Sequence, residues 1–238
     1  MMDFGEYARV KGGSMKDGLH LSGPRLGVHG SYERLVFDLS VSQDFERGPS
    51  VAAVGAFLVE METHPYRLVL TFSGVRSADV DRASLSESSA VRDLYRIPYL
   101  DDSTVVYALT LTQPVEYRAF ELESPGRVVL DLRYSDSVSE MRPIYSLRTA
   151  SLPETHVEPL GHLAETLIWL GSGRPRILSS GDNTLFVEEG AYLTAGEAVL
   201  RRDALMTRGL PGGVSLYVER RGPMDTPDTI GETEEAED

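Results

Sequence analysis

Three stretches of the chain share one hydrophobic rhythm. RLVFDLS (34–40), RLVLTFS (67–73) and RVVLDLR (127–133) each open on an arginine and continue with aliphatic β-formers. In the first, Leu35, Phe37 and Leu39 alternate with Arg34, Val36 and Asp38. A period of two over such residues predicts a strand with one buried face. Residues 54–63, 103–112 and 116–124 predict strands in the same way, and RGPS, THP, FSG and SPGR mark turns between them. Short strands separated by turn signals predict an antiparallel sandwich or barrel from Leu26 to Leu132. Residues 79–97 lack the alternation and read as a loop with one helical turn.

After Tyr134 the texture changes. Residues 135–142 are polar and precede Pro143, as a linker would. A strand–helix–strand pattern then occurs twice. In the first copy Leu160, Leu163, Leu167 and Leu170 mark a helical stripe, stopped by Gly171 and Gly173. Trp169, the only tryptophan, sits beside that stripe and is expected in the core. In the second copy Ala198, Leu200, Ala204 and Leu205 form the stripe. Thr194 and Glu197 have capping-box spacing there, and Gly209 marks the end. The fold class predicted is therefore β plus α/β: an N-terminal antiparallel β-sandwich and a C-terminal ferredoxin-like βαββαβ domain. The predicted divisions are a flexible arm at 1–24, the sandwich at 25–134, a linker at 135–142, the second domain at 143–221 and a disordered acidic tail at 222–238. Two helices on one face of the second sheet would leave its other face free to bind.

The first domain resembles the AMIN domain and its AMIN-like relatives. GSYERLVFDLS near its start and VEYRAFELESPGRVVLDLR at its end carry the resemblance. The second resembles a SPOR domain, through IYSLRTASL and LFVEEGAYLTAGEAVLRRDAL. In the first of these, Ala150, Ser151 and Leu152 stand where that family has Gly, Ser and an aromatic. Both resemblances imply binding of peptidoglycan, in the SPOR case of glycan strands along the open sheet face. By the same resemblance the binding positions fall at Arg148, Ser151 and Glu189. Arg148 would donate charge-assisted hydrogen bonds to a sugar carboxylate or lactyl group, whereas Glu189 would repel an anionic polymer.

Charge narrows the partners. Net charge is −14, and half of it lies in residues 223–238, which carry seven carboxylates and no basic residue. The remaining body is still acidic and repels a phosphate backbone, which argues against nucleic acid and anionic membrane surfaces. The chain has no cysteine, hence no disulfide and no thiolate metal site. No apolar run approaches the roughly 20 residues of a membrane span. The N-terminal stretch has no apolar core of a signal peptide. The expected location is the cell envelope or periplasm if an export signal is missing from this chain, and otherwise the cytoplasm.

Candidate chemistry is sparse. Arg34, Arg67 and Arg127 have two readings: a sugar- or carboxylate-binding face, or polar strand starts whose stems cover the sheet edge. Asp38 and Asp131 could pair with them across strands, for roughly 0–1 kcal/mol per exposed pair. Five scattered histidines form no metal-ligand spacing, GSGRPR (171–176) lacks the Lys-Ser/Thr of a phosphate loop, and no G-x-S-x-G occurs. The expectation is a non-catalytic protein without cofactor or metal. It would bind peptidoglycan or another envelope polysaccharide through Arg148, Ser151, Glu189, Arg34 and Arg127. The alternative is an interaction scaffold for envelope or cell-division proteins that uses sheet edges and the acidic tail.

Overall fold

The computed structural model describes residues 3–99, 101–135, 142–211 and 213–231. The chain divides into two compact units, Met1–Ser139 and Glu140–Asp238.

The first unit is built from β1 (Arg9–Gly12), β2 (Leu19–His29), β3 (Tyr32–Gln43), β4 (Glu46–Ser50), β5 (Phe57–Glu62), β6 (Arg67–Ser73), β7 (Val75–Val80), β8 (Val91–Ile97), β9 (Thr104–Leu111), β10 (Val115–Leu122) and β11 (Arg127–Tyr134). One sheet runs β10-β11-β3-β2-β7, with β4 paired to β3; the other runs β1-β5-β6-β9-β8. The two sheets share one apolar core, a sandwich-like arrangement. Leu35, Phe37 and Leu130 of the first sheet point into it, as do Leu68, Leu70, Phe72 and Leu109 of the second. The rings of Phe37 and Phe72 meet with centroids 5.4 Å apart. Each such buried side chain contributes about 1.5–3 kcal/mol. The alternation in RLVFDLS thus does what period two requires: Leu35, Phe37 and Leu39 go inside, and Arg34, Val36 and Asp38 go to the outer face.

The second unit contains β12 (Ile144–Thr149), α1 (Val157–Trp169), β13 (Arg176–Ser179), β14 (Leu185–Tyr192), α2 (Ala195–Arg208) and β15 (Leu216–Arg221). Its sheet order is β13-β14-β12-β15, antiparallel throughout. Helix α2 begins on the capping box of Thr194 and Glu197 and ends at Gly209, whose φ of 88° suits glycine. Ala198 and Leu205 are buried, and so are Leu160 and Leu167 of α1.

Several expectations are corrected. The chain is not a β domain joined to a ferredoxin-like α/β domain: it is mostly β, with three sheets and two helices making up 15%. The two helical stripes do form helices, of 13 and 14 residues. The sandwich is not wholly antiparallel, since β2 and β7 run parallel. Residues 9–12 and 19–24, assigned to a flexible arm, are β1 and the start of β2, where Leu19 and Leu21 enter the core. Residues 79–97 contain a 3-10 turn at Arg82–Leu85 but also edge strand β8, in which Val91 and Leu94 are buried. A register shift between Val91 and Asp93 breaks the alternation that would have revealed it. Trp169 is 89% exposed, because at 3.6 residues per turn it lies on the helix face opposite the buried Leu160 and Leu167. The predicted linker lies mostly outside the described residues.

Candidate functional site

The outer face of the six-stranded sheet gathers the densest polar chemistry in the first unit. Strand register builds it. Asp131 lies opposite Arg34 on β3 and opposite Arg118 on β10. The Asp131 carboxylate is fully buried and accepts from Arg34 Nε at 2.6 Å, from Arg34 Nη2 at 2.8 Å and from Arg118 Nε at 2.7 Å. It is therefore no exposed surface partner but a fixed anion that sets the planes of two guanidinium groups. Tyr32 and Phe120, two positions along the same strands, share the face, and Phe4 packs over it. The Arg118 and Arg133 guanidinium carbons each lie 4.5 Å from the centroid of Phe4, and that of Arg34 lies 5.5 Å from Tyr32 and 5.6 Å from Phe120. These are cation–π distances. Arg34, Tyr32, Phe120 and Arg118 are partly buried, with 29% of the Arg34 and 16% of the Arg118 side chain exposed, so solvent reaches the face around Phe4.

A cavity of about 310 Å³ continues this face at the β2–β3 turn. Gly30 and Ser31 form a two-residue connection that sets His29 opposite Tyr32. Their rings stack with centroids 4.7 Å apart and 19° between planes. Arg133 and Tyr134 form another wall, and Glu33 and Ser89 also line the cavity. Burial alone would raise the Glu33 pKa, but hydrogen bonds from Ser88 and Ser89 and from the Ala90 N–H hold it below the ordinary carboxylate value.

A second candidate face is the side of the second unit's sheet away from its helices. A bulge between Leu147 and Arg148 puts the Thr149 hydroxyl against the Val187 N–H and turns Arg148 across the Phe186 ring, 3.3 Å from its centroid. Arg148 is fully buried and donates to Glu219 at 2.9 Å and Ser151 Oγ at 2.6 Å. Burial pushes its pKa down against the pull of Glu219. Beside it Glu188, also buried, accepts from Ser146 Oγ at 2.6 Å, from Arg176 Nε at 2.8 Å and from Arg221. Burial opposes its ionisation, yet the Arg176 and Arg221 charges keep its pKa below the ordinary value.

The five residues expected to bind ligand separate sharply. Arg34 lies on the open arginine–aromatic face. Arg127 shares its strand face, but its Nε donates to the Pro125 carbonyl at 3.3 Å, and Asp38 opposite is held by Arg25. Arg148 and Ser151 come together, though neither faces open solvent: residues 227–230 lie across them. That face is not free, and the part of the expected disordered tail up to Gly231 includes a segment bonded to it. Glu189 is not with them. It points to the helix side, where it accepts from Ser172, Tyr192 and Arg201 at 2.6, 2.7 and 2.8 Å. Strand parity explains this, because Leu185, Val187 and Glu189 share one side and Phe186 and Glu188 the other. Arg67, third of the arginine-led strand starts, is buried with Glu62 and Tyr95, its Nη1 2.6 Å from the Tyr95 hydroxyl. Residue-by-residue reading missed Tyr32, Arg118, Phe120, Arg133 and His29. Tyr32 was two positions from Arg34, but identifying Arg118 and Phe120 required the β3-β11-β10 strand order.

Among the described residues no group of three or more His, Cys, Asp or Glu is placed to hold a metal ion, and no helix is long and apolar enough to cross a membrane. No protein-family model and no curated protein matches this chain.

Proposed function

We propose that the protein is a non-catalytic binder of peptidoglycan glycan strands. The observation that carries this reading is the open arginine–aromatic face of the first unit, with the cavity at its end. The Phe120 ring and the face of His29 turned away from Tyr32 offer flat apolar surfaces for the C–H faces of pyranose rings, and Tyr32 backs His29 from behind. The guanidinium groups of Arg34, Arg118 and Arg133 offer donors to lactyl and carboxylate oxygens. Asp131 fixes two of those arginines beforehand, so little side-chain entropy is lost on binding. A cavity of about 310 Å³ is near the lower size of ligand pockets and suits one or two sugar rings. The resemblance of the two halves to AMIN-like and SPOR domains supports the same class of polymer, in the cell envelope.

The test is co-sedimentation of the full chain with purified peptidoglycan sacculi. Retention by the native chain and its loss in Tyr32→Ala combined with Phe120→Ala supports the reading. No retention of the native chain overturns it.

A further inference from the structure

The Arg148 corner of the second unit holds a piece of its own chain in the way a peptide-binding site holds a ligand. After β15, Gly222–Asp225 makes a turn in which the Gly222 N–H donates to Asp225 Oδ2 at 2.7 Å. Residues 227–230 then cross the corner without regular secondary structure. Arg148 Nη1 donates to the Asp228 carbonyl at 2.7 Å, the Ser151 N–H to the Ile230 carbonyl at 2.7 Å, and the Gly181 N–H to the Pro227 carbonyl at 3.0 Å. In the other direction the Asp228 N–H donates to Glu219 Oε1 at 2.9 Å and the Ile230 N–H to Ser151 Oγ at 3.2 Å. Asp182 takes a further hydrogen bond from the Thr229 side chain. Three carbonyls and two amides of four residues are bonded, and the Pro227 ring is buried. Main-chain bonds with a pocket for one side chain are the signature of extended-peptide recognition.

The receptor side is rigid. Arg148 is pinned by Glu219, by Ser151 and by the ring of Phe186, while Ser151 and Ser180 share a hydrogen bond of 2.9 Å. Three arginines on this sheet face, Arg148, Arg176 and Arg221, outnumber the two carboxylates Glu188 and Glu219. The segment that Arg148 holds has the sequence MDTPDTIG over 224–231, with an acidic residue on either side of its proline. We propose that this corner is a docking site for an extended, acidic, proline-containing peptide, occupied in cis by residues 227–230. The same segment of a second copy of this chain takes the site when the cis segment leaves. Tethering at β15 gives the cis segment an effective concentration on the order of millimolar, so it masks the site in the intact chain. This proposal is independent of the glycan reading, and sacculi binding plays no part in its test.

The test uses the full chain carrying Asp228→Pro with Ile230→Pro. These remove the two N–H donors of the segment and leave every receptor residue in place. The probe is a labelled peptide of residues 224–231, followed by fluorescence anisotropy. The double variant is expected to bind it at least tenfold more tightly than the intact chain, and a probe carrying the same two prolines is expected not to bind. Amide hydrogen exchange at Ser151 and Gly181 gives a second readout that needs no variant. Both amides are expected to be protected in the intact chain, to exchange at least tenfold faster in the variant, and to be protected again by excess probe. Equal affinity of variant and intact chain, unchanged protection in the variant, or unprotected Ser151 and Gly181 in the intact chain would each overturn the proposal.

Discussion

Arg34 and Arg148 are placed in similar ways and end in opposite circumstances. Each stands on a strand, is bonded to a buried carboxylate and lies against an aromatic ring. Arg34 keeps 29% of its side-chain surface in solvent, and Arg148 keeps none. The difference comes from the chain that follows. In the first unit Phe4 packs against Arg118 and Tyr32 beside Arg34 and leaves Arg34 partly exposed, whereas residues 227–230 cross Arg148. The same arginine–carboxylate–aromatic grouping is therefore a prepared surface in one unit and an interior contact in the other. Local composition does not decide which: coverage does.

The largest expected effect tests the closed face. Glu188→Ala leaves the buried guanidinium of Arg221 without its closest carboxylate, and breaking a buried pair costs about 3–5 kcal/mol. Denaturant unfolding followed by far-ultraviolet circular dichroism should report it. A loss under about 1 kcal/mol would mean that this face behaves like the open one.

On the open face the consequence should fall on binding. Phe120→Ala is expected to lower stability by about 1 kcal/mol or less, while weakening retention on sacculi about tenfold, or ~1.4 kcal/mol. Equal losses in both would make Phe120 a structural residue and erase the contrast between the faces.

A third polar cluster sharpens the comparison through pH. His20 is buried, its Nδ1 lies 2.8 Å from Ser77 Oγ, and its Nε2 has no hydrogen-bond partner among the described residues. Burial, with Arg47, lowers its pKa below the usual 6.5 against the opposing effect of Asp79. The folded state thus binds the proton less well than the unfolded chain. Stability is full above pH 6.5, declines as pH falls through that value, and levels off below the folded pKa. Thermal melts between pH 8 and 5 should show this decline, and His20→Gln should flatten it. A decline that survives the substitution would assign it to other groups.

The smallest effect is expected at the sheet edge. Arg9 is bonded to Glu60 from β1 with 63% of its side chain exposed, and Arg9→Ala should cost only about 0–1 kcal/mol. A larger loss would mean that exposed arginine pairs in this protein are worth more than the contrast between Arg34 and Arg148 allows.

Period-two alternation made the sandwich legible, because Leu35, Phe37, Leu39 and their counterparts in the other strands have one side to bury. The Thr194–Glu197 capping box was legible for an equally local reason. What escaped was long-range. Asp131 was visible as a possible partner of Arg34, but its complete burial depends on Arg118 arriving from β10. Edge strand β8 was hidden by its bulge, and Trp169, expected in the core, lies on the helix face opposite Leu160 and Leu167. The closure of Arg148 depends on a segment 80 residues further along, in a stretch whose acidic composition reads as disorder. Of the expected site, Arg34 could be read from the strand pattern and the opposite side of Glu189 from parity along β14, whereas Arg148 and Ser151 rested on the resemblance and meet only because Ser151 lies beyond the end of β12.

The most direct measurement is co-sedimentation of the full chain with purified sacculi, with Tyr32→Ala/Phe120→Ala compared at matched stability. Retention of the native chain together with at least a tenfold loss in the variant is the predicted result. Absence of native retention, or equal retention of both proteins, would contradict the account.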